Sequence, residues 1–126
     1  MFLLGSIMCL YACHKDSLQA HNITGTWELR VAFGGVVGYE TFSPGNGHTY
    51  TFNSDGTFTQ YAGKGTLLNQ GSFSIKTNAV QVQGVEYNEL FLNSATSGAI
   101  VQVQDTTLSL GLNYDNETGG IYAKIK

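Results

Sequence analysis

Thr49-Tyr50-Thr51-Phe52-Asn53-Ser54-Asp55-Gly56-Thr57-Phe58-Thr59-Gln60-Tyr61 is the stretch that decides the fold. On either side of Asn-Ser-Asp-Gly, a run rich in Thr and aromatics alternates polar with apolar, so each run gathers its rings on one face of an extended chain. The intervening segment ends in Asp55-Gly56, where glycine takes a positive φ without a Cβ clash. Two such strands joined by that turn form a β-hairpin.

The same period continues outward in both directions. Upstream, Thr26 to Phe33 alternates, with Trp27, Leu29, Val31 and Phe33 on one face, and Gly34-Gly35 ends the run. A second run, Val36 to Phe42, leads into Ser43-Pro44-Gly45-Asn46-Gly47, a loop holding the chain's one proline. Downstream, strands are expected at 71–75, 79–82, 88–92, 100–103, 108–112 and 121–125, separated by loops at 76–78, 84, 93–98, 105–106 and 113–120. From Thr24 onward the helical spacing i, i+3, i+4, i+7 is met by apolar residues only at Leu29, Ala32, Phe33 and Val36, where Gly34-Gly35 interrupts it, and glycine breaks most other attempts. The expectation is an all-β domain, an up-and-down antiparallel β-barrel of about eight to nine strands. Its expected inward set is Leu29, Val31, Phe33, Tyr50, Phe52, Phe58, Phe73, Ile75, Val80, Val82, Leu90, Leu92, Val101, Val103, Leu108, Leu110 and Ile121. Such bulk predicts a filled or nearly filled interior.

Charge narrows the partners. Six Lys and Arg against nine Asp and Glu leave a net −3 in 126 residues, and charged residues make up only 12%, about half the usual ~25%. Nothing basic is available to neutralise phosphates, so nucleic acid is excluded as a partner, as is electrostatic docking on anionic lipid.

The first twelve residues, Met1 to Ala12, carry no charge. As a helix they span ~17 Å at ~1.5 Å per residue, well short of the ~30 Å hydrocarbon core, and fit a signal-peptide apolar region better than a transmembrane helix. Leu10-Tyr11-Ala12-Cys13 resembles a bacterial lipobox, with Cys13 the lipidated residue; Cys9 follows Met8 and does not fit. Tyr11 is bulky for its position, and no Lys or Arg precedes the apolar run. The resulting organisation is a lipoprotein signal peptide at 1–12, a lipidated cysteine and tether at 13–23 and a barrel at 24–126. It implies a membrane partner through an N-terminal lipid and a bacterial envelope location, as an outer-membrane lipoprotein facing the periplasm or the surface. A single acylated cysteine leaves the fold without a disulfide.

Gly25-Thr26-Trp27 at the head of the first strand resembles the Gly-x-Trp signature of lipocalins. Together with Tyr50-Thr51-Phe52, Asp55-Gly56-Thr57-Phe58, Gly71-x-Phe73-x-Ile75 and Leu108-x-Leu110, it is similar to the small lipocalin-like domains of Bacteroidetes lipoproteins. The resemblance covers residues 23–126. It implies that Trp27 plugs the closed end of the barrel beneath a basic residue of the last strand. Lys124 and Lys126 are the candidates there, since the chain's one arginine is Arg30.

Catalytic chemistry finds little support. His21 and His48 have no other metal ligand at i+2 or i+4 and His14 has only Asp16, so no metal site and no cofactor is expected. Asp55 reads as a turn residue rather than the start of a calcium loop. Glu28 falls out of phase with Trp27 and Leu29 and points outward beside Arg30. No pair of inward carboxylates emerges, and His48 is the barrel's one histidine, so enzyme activity is not expected. Binding remains. One reading is a small apolar or amphipathic ligand in the open end, with Tyr39, Phe42, Phe58 and Tyr61 as contacts and Gly63-Lys64-Gly65 at the rim. The alternative is a solid envelope module that contacts protein or glycan through strand faces or loops. A pocket of at least ~300 Å³ distinguishes the first from the second.

Overall fold

The computed structural model describes residues 23–34, 38–111 and 119–126. Nine strands follow one another: β1 (Gly25–Gly34), β2 (Gly38–Thr41), β3 (Thr49–Phe52), β4 (Thr57–Ala62), β5 (Thr66–Val82), β6 (Val85–Leu92), β7 (Ala99–Gln104), β8 (Thr107–Leu110) and β9 (Gly119–Lys124). β3 pairs antiparallel with β1, each strand from β3 onward pairs antiparallel with the next, and β9 returns to β1. Eight strands therefore close into an up-and-down barrel, which removes the free edges an open sheet would expose. β2 is the extra strand. It pairs with the upper half of β1, Val31 to Gly34, while β3 pairs with the lower half, Gly25 to Glu28.

The opening hairpin forms as its sequence indicates. Asn53 N–H donates to Thr57 O at 2.8 Å, Gly56 takes φ +89°, and Asp55 Oδ1 accepts from both the Thr57 amide (3.0 Å) and its hydroxyl (2.6 Å). These bonds hold the Asp55 carboxyl below its ordinary value. Tyr50 stacks on Phe52 with centroids 5.4 Å apart, and Phe52 meets Phe58 at 6.3 Å and Phe73 edge-on at 5.0 Å. With Trp27, Ile23, Leu90, Val101, Leu108 and Leu110 this pile makes up the core of the barrel.

Three expectations are corrected. In β1 the register to β9 slips from Leu29↔Tyr122 to Val31↔Ile121, leaving Arg30 as an extra residue. A bulge of this kind reverses the phase of everything beyond it. Val31 and Phe33 thus leave the inward face, and Ile121 goes with Val31; Tyr122, paired with Leu29 and Leu108, faces the interior instead. The segments at 71–75 and 79–82 belong to one strand, β5, whose pairing with β6 shifts between Lys76 and Val80. Asn78 absorbs that irregularity at φ +51°. The same strand extends back to Thr66, where no strand is expected. Finally Ile23, assigned to the tether, is wholly buried.

Candidate functional site

The two ends of the barrel differ. At the lower end Trp27 is completely buried; its Nε1 donates to Ile23 O at 2.7 Å and Lys124 Nζ stands 5.7 Å from the ring centroid. The register makes this meeting possible, because Trp27 lies opposite Lys124. Gly25 makes room for it: a Cβ there would come within 2.7 Å of Lys124 Cε and 2.6 Å of Lys126 O, and Gly25 sits at φ +135°. The glycine of Gly25-Thr26-Trp27 is thus the track along which the lysine crosses the strand.

The upper end is open. A cavity of about 530 Å³ opens there, walled by Leu90, Leu92, Ala99 and Leu110 and floored by Tyr50 and Tyr122. Gly120 shapes the floor, since a Cβ at that position would stand 3.0 Å from both Leu29 Cδ1 and Tyr122 Cε1. The two tyrosine rings meet edge-on at 5.5 Å and form the top layer of the aromatic pile. Burial pushes both phenols above their ordinary value, and Tyr50 adds to the effect on Tyr122. They therefore stay protonated and able to donate. Among the described residues neither hydroxyl has a hydrogen-bond partner, and no fully buried polar side-chain atom lacks one, so both hydroxyls remain open to a guest. Asn69, Ser97 and Gly98 add polar groups to the lining, and none of the described residues that line it is charged.

The four residues expected to touch a ligand are dispersed. Phe58 is 1% exposed within the aromatic core and does not line the cavity. Phe42 packs edge-on against His48 at 5.4 Å. Tyr39 is 69% exposed on β2, against Phe33 at 6.1 Å. Tyr61 borders a side recess of about 100 Å³ that shares Tyr50 and Tyr122 with the mouth. The residues that do line the mouth include Leu90, Leu92 and Leu110 from the expected inward set. Tyr122 was missed because Ile121 and Tyr122 are both apolar and a period-two reading cannot choose between them; the register that pairs Trp27 with Lys124 and Leu29 with Tyr122 does. Cys13 lies outside the described residues.

Glu28 and His48 organise the outside of this end. Glu28 is 5% exposed. Its Oε1 accepts from Gly45 N–H at 2.8 Å and Arg30 at 2.9 Å, and its Oε2 from Gly47 N–H at 3.0 Å. Burial by itself would push this carboxyl up; the two amides and Arg30 outweigh it and hold the group below 4.5. The carboxylate thereby binds the 43–48 loop over β1. His48 Nδ1 in turn accepts from Gly63 N–H at 3.3 Å, tying that loop to the β4–β5 turn. Among the described residues no three His, Cys, Asp or Glu gather as metal ligands, and no helix is long and apolar enough to cross a membrane. Neither family models, nor curated proteins, nor solved structures match the chain.

Proposed function

We propose that the protein is a lipid-anchored, lipocalin-like envelope protein whose barrel mouth holds a small, neutral, amphipathic molecule. The observation that carries this reading is the 530 Å³ cavity with leucine walls and, at its base, two phenols that have no hydrogen-bond partner among the described residues. Its size falls in the range of ~300–1,000 Å³ typical of small-molecule sites, and an apolar wall with a few convergent polar groups is their usual chemistry. Among the described residues the lining is uncharged, which favours a neutral guest, because a buried ion would lack a counter-charge. The guest sits with its polar group down, on Tyr50 and Tyr122, and its apolar part between Leu90, Leu92 and Leu110. The role is carriage or capture rather than catalysis. Anchoring is through Cys13 after removal of residues 1–12.

Native mass spectrometry of the chain purified from its own cells tests the ligand directly. A co-purifying neutral mass is expected, and Tyr122→Phe should weaken its retention several-fold, about the ~1 kcal/mol of one hydrogen bond, with unchanged melting. A wild-type barrel that carries no guest and gains no thermal stability from a panel of neutral amphiphiles overturns the reading. Metabolic labelling with a fatty acid tests the anchor: Cys13→Ala should abolish incorporation.

A further inference from the structure

The barrel wall is not uniformly sealed. β6 and β7 share only three residue pairs, Asn88↔Val101, Glu89↔Ile100 and Leu90↔Ala99. Toward the closed end both strands continue, β6 through Val85 and β7 through Gln104, yet from Val85 to Tyr87 and from Gln102 to Gln104 they are paired only with their outer neighbours β5 and β8. A cleft of about 440 Å³ separates them.

The backbone groups that face this cleft can be identified. Ile100 O accepts from Gly111 N–H at 2.8 Å, on the β8 side. In an antiparallel ladder the N–H and C=O of one residue point to the same side and alternate along the strand, so those of Val101 and Val103 point to β6. Gln104 and Thr107 close the β7–β8 turn, which places the groups of Gln104 on the β8 side and agrees with this phase. Val82 and Val85 close the β5–β6 turn in the same way, so Val85 points to β5 and Glu86 to β7. Asn88 and Val101 are still paired; Glu86 and Val103, the next step along, are not. Each leaves an N–H and a C=O aimed into the cleft with no partner among the described residues. Obligatory backbone groups in this state form a template for another chain.

We propose that this cleft is a β-augmentation site, which takes a short extended peptide segment of a partner protein between β6 and β7. Three observations select that occupant. The open stretch is three residues long on each side, about 10 Å of extended chain at ~3.3 Å per residue. The unpaired groups of Glu86 and Val103 present donors and acceptors in the pattern that peptide main chain satisfies. The lining is two-sided: Val101 and Val103 line the inner side, while Tyr87, Gln102 and Gln104 line the outer side. A segment that alternates small apolar with polar residues fits both. Among the described residues Glu86 is the sole charged one in the lining, so the segment is neutral or basic rather than acidic.

The test uses the ¹⁵N-labelled full chain titrated with the capped peptide Lys-Thr-Val-Thr-Val-Thr-Lys, its counterpart N-methylated at the two Val residues, and the neutral sugar maltopentaose. The amide resonances of Glu86 and Val103 are expected to move and gain exchange protection with the first peptide. N-methylation should weaken binding about tenfold, the scale of one or two hydrogen bonds. Val103→Pro removes one cleft-facing N–H and spares the bonds of Gln102 and Gln104 to β8, so it should give a similar loss. Should that variant not fold, the N-methylated peptide still decides. Unmoved Glu86 and Val103 resonances, equal binding of the N-methylated peptide, or movement with maltopentaose alone would each overturn the proposal, the last making the cleft a sugar site.

Discussion

Trp27 concentrates three constraints on one side chain. Its bulk fills the barrel's lower end, its indole nitrogen needs the Ile23 carbonyl, and its face accepts the Lys124 ammonium. The cation contributes ~0.5–2 kcal/mol, whereas burial of the ring contributes more, so Trp27→Ala should cost about 3–5 kcal/mol in urea unfolding and Lys124→Ala about 1 kcal/mol. Glu28 is a different case, a charge whose worth depends on pH. Its folded-state pKa lies below the ordinary 4.5, so it adds stability above pH 4.5 that is lost as pH falls through the folded value. The melting temperature should therefore drop on acidification below pH 4.5, and Glu28→Gln should flatten that part of the profile while lowering stability at pH 7. A carboxamide cannot accept from Gly45, Gly47 and Arg30 together. The burial of Glu28 was not legible in its own neighbourhood. Strand phase points it outward, and only the return of the 43–48 loop covers it.

β5 shows how one element can serve two neighbours. Its first part, Thr66 to Ser72, pairs with β4 and its later part, Phe73 to Val82, with β6. The handover falls at Gly71 and Ser72. Gly71 has φ +152°, and a Cβ there would collide with the Asn93 side chain, whose Oδ1 accepts from Ser72 N–H at 3.1 Å. Gly71→Ala should accordingly destabilise the barrel by about 1–3 kcal/mol and raise hydrogen exchange at Ser72 and Asn93 before it does so at Phe52. The glycine and the strand after it are visible in the sequence. The continuity through Lys76-Thr77-Asn78 is not, because a bulge and a loop share the same polar, turn-prone residues.

As a whole the molecule is graded from end to end, with aromatic packing around Trp27 and Phe52 below and an open cup above. The expectation of a filled interior holds for the lower barrel and fails for the upper, where Gly120 and Ala99 stand in place of bulk. Leu92→Trp at the cup wall should abolish guest retention in native mass spectrometry and shift the melting temperature little, because Leu92 is only partly buried against the core and the added ring extends into the cavity. A large loss of stability in that variant would mean that Leu92 belongs to the core.

The sequence by itself determined what short-range stereochemistry controls: the period-two strands, the Asp55-Gly56 hairpin, the all-β class and the up-and-down order, since most paired strands are joined by short turns. Tertiary structure decided what depends on register between distant strands. The slip at Arg30 turned Val31 and Phe33 off the inward face of β1, and the pairing of Leu29 with Tyr122 brought Tyr122 beside Tyr50. The early end of β6–β7 pairing opened the cleft at Glu86 and Val103. A one-residue slip costs the local chain almost nothing and reverses every side chain beyond it, so residues distant in sequence, not the local pattern, fix where a cavity lies and what lines it.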